Sequence, residues 1–346
     1  MINVSVIGAT GYAGVELVRL LVSHKEVNIK HLVSKSFAGK DISEVYNNFR
    51  GFDLPLLSEL DTEEILKDSD LVFTALPHGA SQEVIPALVN GGVKVIDLSG
   101  DYRYDNPEIY EKWYDEPHHS PEILEKAVYG LCELHRDKIK NTSLVGNPGC
   151  YTTCSILGAA PAVSNGIIDT SSVIIDAKSG VTGAGRSAKL DYSFCECTEN
   201  MKAYKIATHR HTSEIEQELS KLAGKEMMVS FTPHLIPLKR GILATIYMNL
   251  NKDVTDEEVY EIYREFFKDE YFVRVLKPGI LPETKNVAGS NFIEIGFKVD
   301  KRLKRLIVSS AIDNIGKGAA SQAVQNMNIM FNFDEKEGIA NPGFYL

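Results

Sequence analysis

The chain has 346 residues, a hydrophobic content of 44% and a formal net charge of -10 at pH 7. This length predicts two domains, and the acidic balance argues against a nucleic-acid-binding surface, which needs basic patches to neutralise phosphates. No run approaches the roughly 20 apolar residues of a membrane helix, and the N-terminus lacks the pattern of a signal peptide. We therefore expect a cytoplasmic protein that binds neither nucleic acid nor membranes.

The cysteines also exclude some classes of protein. Their odd number, without a secretion signal, is not typical of a disulfide framework. The pair Cys195-x-Cys197 lacks a second ligand pair at zinc-site spacing, so we expect no metal site. The five cysteines are Cys132, Cys150, Cys154, Cys195 and Cys197.

The first part of the chain alternates strand-like and helix-like patterns. This alternation predicts a parallel sheet with helices on both faces, as in a Rossmann-type dinucleotide-binding domain. The predicted helices include 15–23 and 80–89. The predicted strands are 2–9, 29–34, 71–76, 94–98 and 143–146.

A glycine-rich turn follows the first predicted strand and opens the first predicted helix. It reads Gly8-Ala-Thr-Gly11-Tyr-Ala-Gly14, a variant of the usual fingerprint. Glycines at this place let backbone amides approach a pyrophosphate at a helix N-terminus. The alternative is a glycine-rich turn with no ligand, but the flanking elements favour a nucleotide site. We expect it to be formed by Gly8, Thr10, Gly11, Tyr12, Ala13 and Gly14.

The end of the second predicted strand indicates which dinucleotide binds. Chains that bind NAD often carry Asp or Glu there, which holds the ribose 2′-hydroxyl. Here the segment is Ser34-Lys35-Ser36, without a carboxylate. Two hydroxyls and an ammonium suit a 2′-phosphate, so we predict NADP(H); the alternative is a solvated lysine in a loop.

Cys150 is the candidate nucleophile. It follows Pro148-Gly149, which predicts a turn, and precedes an apolar segment that predicts a helix. At a helix N-terminus the amides and the dipole stabilise a thiolate, the species that attacks an acyl carbon. The alternative for an isolated cysteine is simple burial, which we expect for Cys154, although a Cys150–Cys154 redox pair is a second alternative.

After Cys150 the pattern changes to strands joined by turns, which predicts an α+β domain with a largely antiparallel sheet. Segments 292–299 and 305–311 are predicted to form one hairpin. A helix is predicted near Ser213, with a capping box to Glu216 and a stop at Gly224, and another at Thr255. A last helix is predicted from Gly318 to about Met330. The strands are predicted at 173–176, 227–233, 242–250, 272–276, 291–299 and 306–312.

The segment before the helix near Ser213 offers a base for the cysteine. His209-Arg210-His211 brings two imidazoles and a guanidinium together, with Glu214 three residues on. One histidine would hold the thiolate and act as acid or base, and the sequence does not choose between them. Glu214 would orient His211, or would only stabilise the helix dipole.

In combination these motifs resemble the long-type N-acetyl-gamma-glutamyl-phosphate reductases, and more loosely the aspartate-semialdehyde dehydrogenases. Thr152 and Cys154 depart from the small residues expected at their positions. The matching segments run in one order along nearly the whole chain: 6–14, Ala75-Leu-Pro77-His-Gly79, Asp97-Leu-Ser-Gly-Asp-Tyr-Arg103, Gly146-Asn-Pro-Gly-Cys150-Tyr, Ser179-Gly-Val-Thr-Gly-Ala-Gly-Arg186, His209-Arg-His211 and Asp313-Asn-Ile-Gly-Lys-Gly-Ala-Ala-Ser-Gln322.

The resemblance implies NADPH-dependent reduction of an acyl phosphate to a semialdehyde, with release of phosphate, through a thioester on Cys150 in arginine biosynthesis. It implies an NADP-binding domain over 1–148, completed by about 318–346, and a catalytic and dimerisation domain over 149–317. It also implies a homodimer or homotetramer. Pro77, Ser179, Gly180 and Asn314 are then expected at the cofactor.

The substrate implied by this resemblance carries a phosphate and a carboxylate, which arginine recognises with two parallel hydrogen bonds. Arg103 and Arg186 are the candidates, with Ser179 and Glu214 also expected at the substrate. For either arginine the alternative is an ordinary ion pair. Two rival functions stay open: a related dehydrogenase of aspartyl or aminoadipyl phosphate, and a nucleotide-binding regulator without catalysis.

Overall fold

The computed structural model describes residues 1–345 and divides into two compact units. Unit 1 comprises Met1–Pro148 and Ala319–Ala340. Unit 2 comprises Gly149–Gly318 and the residues from Asn341 onward. Within the described residues, no helix is both long and apolar enough to cross a membrane.

Unit 1 contains a parallel sheet with the strand order β3-β2-β1-β4-β5-β7-β6. The predicted strands are confirmed, while β3 and β6 are too short to give a sequence signal. Strand β1 ends two residues before its predicted end because the backbone turns at Gly8, where φ is +88°. The strands are β1 (Ile2–Ile7), β2 (Val27–Val33), β3 (Leu57–Ser58), β4 (Leu71–Thr74), β5 (Lys94–Asp97), β6 (Ala127–Tyr129) and β7 (Leu144–Gly146).

Helices connect these strands. The helix predicted over 80–89 is a short 3₁₀ turn followed by α3, because Pro86 has no N–H to donate to the carbonyl oxygen of Gln82 in a continuous helix. The helices are α1 (Tyr12–Leu21), α2 (Thr62–Asp68), α3 (Ile85–Asn90), α4 (Pro107–Tyr114), α5 (Pro121–Leu124) and α6 (Cys132–Lys140).

Unit 2 is built on a mixed sheet in the order β12-β13-β14-β11-β8-β10-β9. The central pairs β13–β14, β14–β11 and β11–β8 are antiparallel, and β12–β13 and β8–β10 are parallel. The predicted hairpin is β13–β14. The elements are α7 (Cys150–Ser164), β8 (Ile174–Ser179), α8 (Phe194–Cys197), β9 (Lys202–Ala203), α9 (His211–Ala223), β10 (Ser230–Leu235), β11 (Ile242–Asn249), α10 (Asp256–Phe266), β12 (Val273–Val275), α11 (Thr284–Val287), β13 (Ile293–Asp300) and β14 (Arg305–Ile312).

The two predicted capping boxes have different outcomes. Thr255 and Glu258 form the complete box at α10. The box at Ser213 is wrong, because α9 already begins at His211 and the Ser213 hydroxyl donates to the carbonyl oxygen of Arg210. The predicted stop at Gly224 is confirmed by its left-handed backbone, with φ +65°.

The C-terminal helix predicted from Gly318 starts as a π-helical turn over Gly316–Ala320 and continues as α12 (Ser321–Met330). Helix α12 belongs to unit 1, where it packs against α1 and α6. The chain beyond Asn341 belongs to unit 2, where the amide of Phe344 donates to the carbonyl oxygen of Ala288 at 2.7 Å. The segment 318–346 is therefore divided between the units.

Candidate active site

The glycine-rich turn of unit 1 lies between β1 and α1. A β-carbon on Gly8 would lie 2.4 Å from the carbonyl oxygen of Ala75. A β-carbon on Gly14 would lie 2.1 Å from the carbonyl oxygen of Gly8. Gly11 is the N-cap of α1, and no side chain caps this helix end. The backbone thus requires glycine at positions 8 and 14, and the first turn of α1 presents its amides to an anion.

The other residues expected at the cofactor occupy two adjoining segments. Tyr12 and Ala13 are the first residues of α1. The hydroxyls of Thr10 and Ser34 are 2.7 Å apart, which ties the glycine-rich turn to the end of β2. Lys35 and Ser36 follow as exposed residues. Ser34 is buried, so Lys35 and Ser36 are the side chains of this segment that are exposed to a ligand.

Further along the sheet, Pro77 and Arg103 follow the carboxyl ends of β4 and β5. The carboxyl ends of parallel strands meet at one edge, where α/β sheets bind ligands. Pro77 is exposed there. Arg103 is only 6% exposed, because its Nε donates to the carbonyl oxygen of Asn147 at 2.6 Å and its Nη2 to that of Leu98 at 3.1 Å. Its guanidinium is therefore held by backbone carbonyls.

Two buried carboxylates lie near Arg103 in sequence: Asp97 ends β5, and Asp101 lies on the loop that follows. The Ser99 hydroxyl is 2.7 Å from Oδ2 of Asp97, the Ser81 hydroxyl is 2.5 Å from Oδ2 of Asp101, and the two hydroxyls are 2.8 Å apart. Burial, followed by the charge of Asp101, raises the pKa of Asp97 to about 6. The amide of Gly79 donates to both oxygens of Asp101. This network joins the loop after β5 to the loop after β4.

In unit 2, Cys150 is the first residue of α7 and is half-buried, with Gly149 as the N-cap. Helix α7 is buried over most of its length, so its position is well defined. A β-carbon on Gly318 would lie 2.7 Å from the β-carbon of Cys150. Cys150 thus lies at the positive end of a helix, as predicted, and the π-helical turn packs closely on its backbone. Cys154 is buried as predicted, and burial raises its pKa to about 12.

The two histidines have different surroundings. A β-carbon on Gly149 would lie 2.4 Å from Nε2 of His211, so that imidazole lies directly against the N-cap of α7. Nδ1 of His209 accepts the backbone amide of His211 at 3.1 Å. Burial, followed by the charges of His211, Lys205 and Arg210, lowers the pKa of His209 to about 2. His209 is therefore a neutral ring whose Nδ1 is already used.

Glu214 is fully buried one helical turn after His211. Its Oε2 accepts the amide of Gly149 at 3.2 Å and lies 3.0 Å from the hydroxyl of Thr152. Its Oε1 lies 3.9 Å from Nε2 of His211. The carboxylate therefore joins the N-terminus of α7 to the imidazole that packs on it.

Ser179 and Asn314 lie near Cys150. From the position of a β-carbon on Gly183, the Asn314 amide nitrogen is 3.3 Å away, the Ser179 hydroxyl 3.6 Å and the Cys150 sulfur 3.9 Å. Asn314 also accepts the amide of Gly241 at 2.8 Å and donates to Thr182 at 3.1 Å. The structure thus places Ser179, Gly183 and Asn314 around the thiol.

Arg186 is exposed, two residues after the 3₁₀ turn Val181–Ala184. Arg186 thus differs from Arg103, whose guanidinium is held by backbone carbonyls. Among the described residues, no group of three or more His, Cys, Asp and Glu side chains is arranged to hold a metal ion.

Sequence reasoning missed two tyrosines. Tyr151 donates to the carbonyl oxygen of His234 at 2.9 Å, and the hydroxyl of Tyr204 lies 3.4 Å from that of Tyr151 and 3.4 Å from Nε2 of His209. Burial raises the pKa of both phenols. Tyr151 directly follows the candidate nucleophile Cys150 in sequence, and this adjacency could have indicated it. Tyr204 gave none, since only the fold brings it to His209.

Two family models match the chain, one in each half. Residues 3–142 match the semialdehyde dehydrogenase NAD binding domain, and residues 150–314 match the semialdehyde dehydrogenase dimerisation domain. Each match lies within one of the two units.

The full chain is similar to curated proteins and to solved structures. It is 58% identical to N-acetyl-gamma-glutamyl-phosphate reductase of Acetivibrio thermocellus and 53% identical to that of Halothermothrix orenii, with 100% of both chains covered in each comparison. Aspartate semialdehyde dehydrogenase II of Vibrio cholerae, complexed with ASA, has a TM-score of 0.73 at 18% identity, covering 96% of this chain and 98% of that one. The Candida albicans aspartate semialdehyde dehydrogenase with NADP gives 0.70 at 18% identity, with the same coverage. These structures share the fold.

Proposed function

The chain belongs to the N-acetyl-gamma-glutamyl-phosphate reductases of the semialdehyde dehydrogenase family, and from this we propose how its residues reduce N-acetylglutamyl 5-phosphate to the 5-semialdehyde. The Cys150 thiolate attacks the acyl carbon, and phosphate leaves as the thioester forms. NADPH, when bound, supplies the hydride that reduces the thioester carbonyl. Collapse of the resulting hemithioacetal releases the aldehyde and the thiolate. This step belongs to arginine biosynthesis.

One observation carries the assignment of the nucleophile: Cys150 starts α7, and the His211 imidazole lies against the N-cap before it. The helix terminus and a protonated imidazole both stabilise a thiolate. The first-turn amides would also stabilise the oxyanion that forms in each step. Cys154 lacks these features because it is buried within the helix.

His211 is the acid and base in this proposal, and His209 is not. A group that exchanges protons near neutral pH needs a pKa near that range, and the pKa of His209 is lowered to about 2. The acceptor Nδ1 of His209 is occupied by the His211 amide. His209 would instead hold the backbone at the start of α9, and so place the His211 ring.

Arg103 would bind an anionic group of the substrate. Two carbonyls hold its guanidinium in one orientation, so little side-chain entropy remains to be lost on binding. Arg186, which is exposed, would bind the other anionic group. Ser179 and Asn314 would line the space at the thiol, and Asn314 would reach the nicotinamide.

NADP(H) is the cofactor of this family, and unit 1 supplies a turn that fits it. The close backbone contacts at Gly8 and Gly14 leave the first turn of α1 open to a pyrophosphate. Lys35 and Ser36 are exposed at the end of β2, where a 2′-phosphate would bind. We assign the preference for NADP to these two side chains.

Unit 2 is a dimerisation domain, so the chain assembles as an oligomer. A homodimer would form through the half-exposed face of its sheet. Ile174, Tyr247 and Ile307 are paired across β8, β11 and β14 and lie on this face. A row of apolar side chains that crosses three strands is suited to a self-complementary contact.

The assay runs in reverse, with N-acetylglutamate 5-semialdehyde, phosphate and NADP, and follows the absorbance of NADPH. We expect phosphate-dependent NADPH formation that disappears in Cys150→Ala and persists in Cys154→Ala. Aspartate semialdehyde is the control substrate, and activity with it alone would assign the chain to the other dehydrogenase. Tight NADP binding without activity on either substrate would contradict the proposed reaction.

A further inference from the structure

Glu214 is a buried carboxylate that needs hydrogen-bond donors. Burying an ionised group without them is costly, and each donor that is removed raises that cost. The amide of Gly149 supplies one donor at 3.2 Å. The hydroxyl of Thr152, at 3.0 Å, supplies a second to the same oxygen, Oε2. The opposite oxygen, Oε1, is the one that lies towards His211.

Thr152 has one hydroxyl proton and two acceptors. Its Oγ1 lies 2.6 Å from the carbonyl oxygen of Gly149 as well as 3.0 Å from Glu214. That carbonyl oxygen already accepts the amide of Thr153 at 2.9 Å and the hydroxyl of Thr153 at 3.1 Å. Because its lone pairs have these donors, and because an ionised carboxylate is the stronger acceptor, the carboxylate attracts the Thr152 proton.

Thr152 is fully buried, so no water competes for this contact at its side chain. It is also a position where the sequence departs from the small residue expected for the family. We propose that Thr152 is a positioning residue: its hydroxyl fixes the Glu214 carboxylate, which in turn holds the His211 imidazolium at the N-terminus of the Cys150 helix. This inference rests on the proposed role of His211. It adds that the Thr152 hydroxyl positions His211 through Glu214.

The chain offers a matched control in the adjacent residue. Thr153 is also fully buried, but its hydroxyl donates to the carbonyl oxygen of Gly149 and makes no hydrogen bond to Glu214 among the described residues. Thr152→Val and Thr153→Val remove the same group from the same helical turn. Only the first removes a donor from the carboxylate. Thr152→Ser restores the hydroxyl.

Two measurements test the proposal on the full-length protein. The first is an NMR titration of the His211 ring protons, assigned with His211→Asn. Without the Thr152 donor the ionised carboxylate is less stable, so the imidazolium loses support and the pKa of His211 falls in Thr152→Val. It should stay at the native value in Thr153→Val and return towards it in Thr152→Ser. The second is kcat, which we expect to fall about tenfold in Thr152→Val, on the scale of one hydrogen bond to a buried charge.

Equal shifts in the two valine variants would overturn the proposal, since they would assign the effect to the Gly149 carbonyl. An unchanged His211 titration in Thr152→Val would overturn it as well. Thermal unfolding of all three variants separates a folding defect from a change at the site. The titration does not depend on the substrate, so it tests Thr152 even if the reductase assay fails.

Discussion

At the scale of single residues, the two neighbouring histidines are distinguished by what their rings contact. His211 lies against Gly149, whereas the Nδ1 of His209 is used by a backbone amide. We expect His211→Asn to lower kcat by about 100-fold or more, the usual contribution of a general acid or base. We expect His209→Asn to retain activity within about tenfold, because an asparagine oxygen can accept the same amide.

The pH dependence of Cys150 alkylation by iodoacetamide distinguishes the two roles directly. Because burial keeps His209 neutral, with a pKa of about 2, replacing it should leave the alkylation profile between about pH 5 and pH 9 in place. Loss of the His211 imidazolium should move thiolate formation to higher pH. A shift caused by His209→Asn, with none for His211→Asn, would reverse the assignment.

Cys150 could be predicted because its motif is local: turn, cysteine and apolar helix are contiguous in sequence. The partners of Glu214 could not, since its bonds to Thr152 and Gly149 join positions 62 and 65 residues apart. No periodicity carries such information. The sequence indicated that Glu214 would orient His211 or would only stabilise the helix dipole, and the second alternative fits many surface residues equally well.

At the scale of elements, the glycines of the glycine-rich turn are needed for two different reasons. The fold requires Gly14, whereas only a bound ligand would require Gly11. A β-carbon on Gly14 would collide with Gly8, but one on Gly11 would be 3.6 Å from the nearest oxygen and φ there is -73°. We expect Gly14→Ala to lower both the melting temperature and NADP affinity. We expect Gly11→Ala to fold normally and to weaken NADP binding at least tenfold, measured by calorimetry. Normal NADP binding by Gly11→Ala would show that the cofactor does not approach this amide.

The loop that carries Arg103 is expected to bind a proton. Asp97, Ser99, Ser81 and Asp101 form three successive oxygen contacts of 2.7, 2.8 and 2.5 Å, while the two hydroxyls supply only two protons. A third proton, on one carboxyl group, completes the chain. Burial raises the pKa of Asp97, so we expect this proton on Asp97.

The proton on Asp97 makes the stability of the folded protein depend on pH. Burial raises the pKa of Asp97 to about 6 in the folded protein, from 3.8 in the unfolded chain. The folded state therefore holds the proton more tightly, and stability is lost as the pH rises from about 4 to about 6, by at most about 1.4 kcal/mol per pH unit. Asp97→Asn imitates the protonated acid and should remove this slope. Asp101→Asn should lower the melting temperature, because it replaces one of the two oxygens that accept the Gly79 amide, and equal melting curves for the two variants would contradict the assignment.

The elements also show where local motifs fail. Ser213-x-x-Glu216 and Thr255-x-x-Glu258 have the same spacing, but only the second is a cap. In the first, the helix starts two residues earlier and Glu216 accepts the amide of Val229 instead. The Ser/Thr-x-x-Glu spacing alone does not show whether the residues before it are already helical. Likewise β3 and β6, of two and three residues, are set by their neighbours in the sheet and not by their own composition.

At the scale of the whole molecule, the sequence pattern changes after Cys150 from alternating strands and helices to successive strands. This change predicted a parallel sheet in the first part of the chain and a largely antiparallel sheet in the second. The exact division of the C-terminal segment was not predictable, because the tail beyond Asn341 is held by backbone contacts such as that of Phe344 with Ala288. The glycine-rich turn belongs to unit 1 and the Cys150 thiol belongs to unit 2.

Oligomerisation is the property of the whole molecule that the sheet of unit 2 makes testable. Tyr247 is paired with Ile174 on one side and Ile307 on the other, and Ile307 is only half-exposed. In a twofold contact each substitution occurs twice, so Ile307→Glu would place two carboxylates in one apolar interface. We expect sedimentation velocity to show this variant as a monomer at concentrations where the native chain is an oligomer. Met228→Glu is the control, because Met228 is 74% exposed, lies outside the strands and also belongs to unit 2. If Ile307→Glu keeps the native assembly while Met228→Glu dissociates it, the subunit contact lies on another face.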